Sequence, residues 1–464
     1  MRDLSALVKA YDIRGLVGTE LDADVVRDVG AAFADLVGGP AVVVGHDMRD
    51  SSPGLARAFA EGATSRGVDV VSIGLASTDM LYFASGRLDL PGAMLTASHN
   101  PARYNGLKLC RAGAVPVGRD SGLDELRAAV ERGVGPGPGG GRVREVDVRA
   151  DYAAHLRGLV DLSAIRPLRV VVDAGNGMGG HTVPTVLDGL PVRLTPLYFE
   201  LDGTFPNHEA NPLVPENLLD LQRAVLAEGA DLGLALDGDA DRCAVVDELG
   251  RPVSASAITA LVATRELARV PGAPVVHNTI TSRAVPEIVA EHGGVPVRSR
   301  VGHSFMKATM ARTGAVFGGE HSAHYYFRDF WRADSGMLAA LHVLSALGGQ
   351  DRPLSELMAA YSRYASSGEL SLAVADQGAC IAAVREPWVR RGALVDEADG
   401  LTVEVAAGTW FNLRPSGTEP LLRLTVEAPD RAAVDAVRDE VLGLVRDADR
   451  REEERSWLSS STRS

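Results

Sequence analysis

Lysine is nearly missing. Of 47 basic residues only Lys9, Lys108 and Lys307 are lysines, the rest being arginine. Arginine is a flat fork that stays protonated, whereas lysine is a compact ammonium whose pKa falls on burial, so a position that must move a proton cannot substitute arginine for it. Lys108 is the foremost candidate, because it lies ten residues after Ser98 in a polar turn. Cysteine is scarce as well. Cys110, Cys243 and Cys380 are odd in number and far apart, with no CxxC pairing, which excludes a disulfide framework and a structural zinc site and fits a reducing cytoplasm. Positive charge is short overall: the formal net charge is -14, from 47 basic and 61 acidic residues. A general nucleic-acid or membrane-surface binder would present a basic face, so both classes are set aside and any bound phosphate must be met by local charge. No apolar run approaches the length of a membrane span, and the first residues lack the apolar core and cleavage site of an export signal, so a cytoplasmic protein is expected.

What is present is α/β patterning. At 464 residues the chain has room for about three domains, each with its own core. Three times an apolar run gives way to small polar residues and then to a helical pattern: AVVVGHDMRDSSP (41–53), RVVVDAGNGMGG (169–180) and PVVHNTITSRAVPEI (274–288). Buried strands with crossover helices are implied, in three related units. GPGPGGG (135–141) reads as a linker near the first boundary. After residue 366 short strands around TWFNL and LLRLTVE precede an amphipathic helix from Asp430, the pattern of a small α+β domain. The expected division is 1–150, 151–254, 255–365 and 366–450, with 451–464, charged and then serine-rich, as a disordered tail.

Four segments carry candidate chemistry. GAMLTASHNPARYNGLK (92–108) puts Ser98 on a turn after a strand, where its hydroxyl can serve as nucleophile, phosphate carrier or helix cap. LGLALDGDADRCAVVDELG (232–250) alternates Asp237, Asp239 and Asp241. Three carboxylates at that density repel one another, and hard oxygen ligands suit Mg²⁺. A calcium loop starting at Asp237 would need glycine where Arg242 stands, and strands, not helices, flank it. GGEHSAHYYFRDFWRADSG (318–336) sets Glu320, Ser322 and His324 at alternate positions, the equipment for gripping adjacent sugar hydroxyls. FNLRPSGTEPLLR (411–423) offers Arg414, Ser416, Gly417, Thr418 and Arg423 as a phosphate-binding nest, Gly417 supplying the permissive backbone. Arg14 in KAYDIRG is a further phosphate contact, and His303 and Lys307 follow a strand in RVGHSFMK. One motif per domain implies a cleft where four domains meet.

TASHNP, DGDADR, GEHSAH and RPSGTEP, in that order over nearly the whole chain, make the sequence resemble the α-D-phosphohexomutase family, in its phosphomannomutase/phosphoglucomutase branch. The resemblance implies three similar α/β domains with mixed sheets between helices and a smaller C-terminal α+β domain around a central cleft. It implies that Ser98 is carried phosphorylated, with Mg²⁺ held by Asp237, Asp239, Asp241 and a phosphoserine oxygen. Lys108 and His324 become the proton carriers, joined in the catalytic set by Arg14 and His99. Arg242, His303, Glu320, Ser322, Arg414, Ser416, Gly417, Thr418 and Arg423 become substrate-binding, Glu320 and Ser322 on the 3- and 4-hydroxyls of the sugar. The implied reaction interconverts mannose 6-phosphate and mannose 1-phosphate through a hexose 1,6-bisphosphate, with glucose phosphates as the alternative or additional substrate. The implied partners are small-molecule sugar phosphates, with no nucleic acid or membrane, in a monomer or dimer. Two departures stand out. Ala323 occupies a position often glycine in the family, and Ile280 lies about where some relatives carry a substrate-binding lysine, for which Arg283 or Lys307 would compensate.

Three rival readings remain. A serine hydrolase would use Ser98 with His99 or His324, but the sequence lacks a G-x-S-x-G elbow and the reading leaves the aspartates idle. A metal-dependent phosphatase would make Ser98 dispensable. A calcium-binding module would need helical flanks.

Overall fold

The computed structural model describes residues 3–416 and 421–461. The three apolar runs form the strands Ala41–His46, Leu168–Asp173 and Pro274–Asn278, each largely buried and flanked by two parallel neighbours in its own sheet. The first sheet has seven strands, in the order Ile13–Leu16, Tyr104–Arg111, Gly92–Leu95, Ala41–His46, Asp69–Leu75, Val143–Glu145, with Val115–Pro116 beside Tyr104–Arg111. The second and third have five strands each, and both mix parallel and antiparallel pairs. The fourth, Ala365–Ala373, Leu421–Ala428, Thr409–Pro415, Leu401–Ala406, Leu394–Asp396, is wholly antiparallel.

One device recurs in all four sheets. Each motif loop joins two antiparallel strands: Leu95 pairs with Leu107 around the Ser98 loop, Leu236 with Cys243 around the aspartate loop, Gly319 with Tyr325 around Glu320–His324, and Pro415 with Leu422 around the fourth motif. In the first three the strand entering the loop is parallel to its other neighbour, so the motifs sit at carboxyl ends of parallel strands, where open α/β sheets place their ligands.

The cores divide differently from the sheets. A single apolar cluster runs from Val43 and Tyr82 through Tyr152 and Leu234 to Phe317 and Leu344, joining the first three domains. The fourth domain has a separate core of Cys380, Trp388, Phe411, Leu424 and Val441. Its closing helix, Arg431–Ser461, extends well past residue 451. Helix-forming Arg and Glu residues carry that helix into the first part of the segment 451–464.

Candidate active site

The cleft between the domains encloses about 780 Å³ and is lined by Arg14, Ser98, His99, Lys108, Arg242, His303, Glu320, Ser322, His324 and Arg423, together with Tyr11 and Asn100. Most of the positions singled out in the sequence therefore converge, drawn from all four domains. Arg414 and Ser416 are not among the lining residues, but Arg414 sits behind the cleft wall, sharing Glu369 with Arg423. Arg414 pairs with Glu369 at 2.7 Å, and the Ser416 backbone donates to the Leu421 carbonyl at 2.8 Å. Gly417 and Thr418 lie outside the described residues.

Ser98 sits on the cleft floor with φ of +51°. This left-handed conformation costs a non-glycine residue about 1 kcal/mol and must be imposed by its surroundings. Arg49 imposes it. Its buried guanidinium donates to four carbonyl oxygens of the loop, those of Ser98 (2.9 Å), Asn100 (2.6 Å), Pro101 and Tyr104 (both 3.0 Å). Asp47 pairs with Arg49 at 3.2 Å, and Phe205 of the second domain covers it at 5.0 Å. Five donors in a fixed fork can gather several carbonyls, which lysine cannot do. Arg49 was missed because HDMRDSS reads as a plain strand-to-helix turn; its signal was an arginine beside two acids immediately after a fully apolar strand.

The aspartate loop approaches from the second domain. Ser98 Oγ donates to Asp237 Oδ2 at 2.8 Å. The approach is so close that a Cβ on Gly238 would lie 2.4 Å from the Ser98 carbonyl oxygen, so glycine is required between the first two aspartates. Asp237, Asp239 and Asp241 are all buried, with one carboxylate oxygen from each within 4.8 Å of the others. Arg242 Nε donates to Asp237 Oδ2 at 2.9 Å, and Lys108 Nζ reaches Asp239 Oδ2 at 2.7 Å and Asp241 Oδ2 at 2.5 Å. Two cations thus face three carboxylates. The cluster is therefore one positive charge short, and burial raises Asp237 in spite of Arg242. At Asp239 burial also acts upward, but Lys108 outweighs it and holds the carboxyl well below the ordinary range. Burial opposes the charge on Lys108, and Asp239 and Asp241 more than restore it, keeping the ammonium protonated.

The leftover oxygens identify what fits. Asp239 Oδ1 and Asp241 Oδ1 are buried without a hydrogen-bond partner, a costly state unless a cation takes them. Hard oxygen donors and a charge deficit suit a divalent cation such as Mg²⁺. A second grouping, Asp241 with His324 and Asp334, is already served, because Lys307 pairs with Asp334 at 2.7 Å.

The histidines are set in distinct roles. Arg242 Nη2 donates to His99 Nδ1, and burial followed by the Arg242 charge holds His99 well below its ordinary pKa. Its Nδ1 faces that guanidinium, with Ser98 Oγ at 3.3 Å, and among the described residues no carboxylate hydrogen-bonds the ring, unlike a Ser-His-Asp arrangement. Desolvation, then Lys307, likewise lowers His303, whose ring packs tilted against Tyr11 with centroids 4.7 Å apart. His324 Nδ1 lies 3.0 Å from Ser322 Oγ, with Nε2 toward Asp241 at 3.8 Å. Glu320 is fixed on both oxygens: Gly302 N (3.0 Å) and Asn278 Nδ2 (3.2 Å) donate to Oε1, and the Tyr326 hydroxyl to Oε2 at 2.6 Å. Arg14 bonds Asp12 at 2.5 Å and also Asn100. Ala323 has φ of +62°, a conformation that glycine would adopt without strain. The suggested compensation for Ile280 is corrected: Lys307 is buried against Asp334 and the Tyr82 ring, and Arg283 pairs with Glu404 on the fourth domain. Neither lines the cleft.

Three α/β units and a fourth, antiparallel α+β unit, with the first three motif loops and Arg423 around one cleft, define the four-domain phosphohexomutase fold. Residues 5–133, 150–250 and 254–364 match the alpha/beta/alpha domains I, II and III of phosphoglucomutase/phosphomannomutase, and residues 369–444 match its C-terminal domain. The chain belongs to that family, and is an isomerase of its class. It is 39% identical to a phosphomannomutase of Escherichia coli over 94% of this chain and 98% of the relative. It is 40% identical to a protein of Xanthomonas campestris described as phosphohexose mutases, with the same coverage. A crystal structure of a phosphoglucomutase/phosphomannomutase family protein from Burkholderia thailandensis superposes with a TM-score of 0.86 at 35% identity, covering 96% of this chain and 97% of that one. Among the described residues no helix is long and apolar enough to cross a membrane.

Proposed function

We propose that this enzyme interconverts mannose 6-phosphate and mannose 1-phosphate by way of a phosphorylated Ser98 and a hexose 1,6-bisphosphate, with glucose phosphates as a second substrate pair. The observation that supports the reading is the Ser98 hydroxyl held 2.8 Å from Asp237, in a cleft also lined by Lys108, Glu320, Ser322, His324 and Arg423. In the first half-reaction the free hydroxyl oxygen of the sugar phosphate bonds to the phosphorus on Ser98 as the Ser98 P–O bond breaks. The hydroxyl proton leaves to a base on the cleft wall, for which His324 is placed, and Ser98 Oγ emerges beside cationic groups. In the second half the bisphosphate, turned end for end, returns its other phosphoryl group to Ser98. Nothing is consumed, and the chemistry reduces to positioning and charge neutralisation. A divalent cation held by Asp237, Asp239, Asp241 and a phosphoserine oxygen would supply part of that neutralisation.

Lys108 begins as a protonated group, suited to balancing charge on the transferring phosphoryl and to giving a proton to a departing oxygen. Arg242 holds Asp237 and His99 in place at the same wall. Glu320 and Ser322 grip sugar hydroxyls, with His303 as a neutral neighbour, and Arg14, Arg423, Arg414 and the loop through Ser416, Gly417 and Thr418 meet the phosphate not being transferred. Mannose is placed first because the Escherichia coli relative is named a phosphomannomutase, and glucose stays beside it because the Xanthomonas relative is described more broadly. ³¹P NMR with Mg²⁺, catalytic glucose 1,6-bisphosphate and either mannose 1-phosphate or glucose 1-phosphate tests the assignment. Growth of a 6-phosphate signal, faster from mannose, supports it. Growth of inorganic phosphate alone would make the protein a phosphatase.

A further inference from the structure

The metal loop belongs to the second domain, but its middle aspartate is gripped from the first. Thr78, the first residue of helix Thr78–Leu88, is fully buried. Its hydroxyl donates to Asp239 Oδ2 at 2.5 Å, and its backbone N–H donates to the Asp239 carbonyl oxygen at 3.0 Å. Lys108 donates to the same Oδ2, while Oδ1 has no partner.

The helix start that carries Thr78 is itself fastened. Ser77 caps the helix through Met80 N, and the neighbouring Asp79 accepts hydrogen bonds from Ser77 (2.5 Å), from Tyr152 of the second domain (2.7 Å) and from Ser335 of the third (2.7 Å). Ser335 is in turn the cap of helix Gly336–Gly348. One helical turn therefore ties three domains together directly behind the aspartate loop.

A carboxylate turns readily about its terminal torsion, and a turn exchanges its two oxygens. Lys108 could follow such a turn on its flexible stem. A buried β-branched threonine, stiff at χ1 and set in a capped helix, cannot. We infer that Thr78 is the positioning residue that fixes Asp239 with Oδ1 presented to the metal, and that it does so from the domain that carries Ser98. The inference rests on the reading of the aspartate loop as a divalent-cation site. It assigns to Thr78 a second effect: because both its hydroxyl and its N–H hold Asp239, it sets the register between the nucleophile domain and the metal loop.

The test is Mn²⁺ binding to the full-length protein, read by electron paramagnetic resonance with no sugar phosphate present. Thr78→Val should weaken Mn²⁺ binding about tenfold or more, the loss associated with one buried hydrogen bond to a charged group, while Thr78→Ser stays within about threefold of the original. Thr78→Ser and Thr78→Ala share the loss of the methyl group and any packing defect it brings, so a gap in Mn²⁺ affinity between these two isolates the hydroxyl even where the valine variant folds poorly. Equal Mn²⁺ affinity in the original protein, Thr78→Ser and Thr78→Ala would overturn the role of Thr78 and leave the metal site standing. Failure of the original protein to bind Mn²⁺ would overturn the metal site and the inference with it.

Discussion

The first three domains and the fourth are joined to their neighbours in different ways. A continuous apolar core, from Val43 to Leu344, runs through the first three, and buried polar ties such as Asp79 with Tyr152 and Ser335 lie within it. The fourth domain keeps its core to itself and meets the third along a polar seam: Arg283 with Glu404, Arg283 N with Glu427 at 2.9 Å, Arg298 with Asp396 at 2.5 Å and Val301 N with Asp399 at 2.7 Å. Buried packing and satisfied buried hydrogen bonds resist displacement, whereas half-exposed ion pairs exchange easily with water. The difference matches the division of labour proposed above. Ser98, the aspartates and Lys108 must hold positions to within fractions of an ångström, and they lie on the fused side. In the proposed function the phosphate grip must accept a sugar bearing its phosphate at either end, and Arg423, its member on the cleft wall, lies across the seam.

The comparison is broken most severely on the fused side. Ser98→Ala should lower mutase turnover by about a thousandfold or more, as removal of a nucleophile does elsewhere, with an unchanged melting temperature; full activity in ³¹P NMR would remove the phosphoserine route. Gly238→Ala forces a Cβ toward the Ser98 carbonyl and should cost about 2–4 kcal/mol in denaturant unfolding along with most activity. Normal behaviour of that variant would mean that the two loops are free to part.

A pH series sharpens the same side. Burial, only partly offset by Ser77, Ser335 and Tyr152, raises Asp79 from 3.8 to about 6. Below the unfolded value the group is protonated in both states and costs nothing; as pH rises from 3.8 through 6 the folded state is penalised, by about 3 kcal/mol when fully ionised. Relative to Asp79→Asn, the original protein should therefore lose stability by about that amount between about pH 4 and pH 7. A difference that does not move with pH would contradict the assignment.

The seam should respond least. Arg283→Ala breaks a half-exposed pair and should cost less than about 1 kcal/mol, while raising KM for sugar phosphates severalfold at nearly constant kcat. A loss of several kcal/mol would show the seam to be as rigid as the core. Smaller still, Ala323→Gly relieves a left-handed backbone but loosens the unfolded chain, and should change stability by less than about 1 kcal/mol.

The four motif loops were legible because each is a cluster of small polar residues between apolar runs, and the hairpins confirm the strands expected on either side of DGDADR and in FNLRPSGTEPLLR. The groups that hold those loops were not. Arg49, Thr78, Asp79, Tyr152 and Ser335 are ordinary residue types whose partners lie 49 to 256 positions away, and no local spacing announces such contacts. The lysine scarcity drew attention to Lys108, which bridges two of the aspartates, whereas Lys307, suggested as compensation for Ile280, is committed to Asp334 against the Tyr82 ring. Past residue 451 the charged residues are also helix formers and continue the last helix, which charge and serine content alone do not reveal.

The central claim is that Ser98 carries the phosphoryl group. Mass spectrometry of the proteolytic peptide spanning Ser98, after incubation with glucose 1,6-bisphosphate and Mg²⁺ and again after addition of excess mannose 6-phosphate, tests it directly. The account predicts one phosphoryl group on Ser98 in the first sample and its transfer to sugar in the second. A peptide never phosphorylated while mutase turnover proceeds would contradict it.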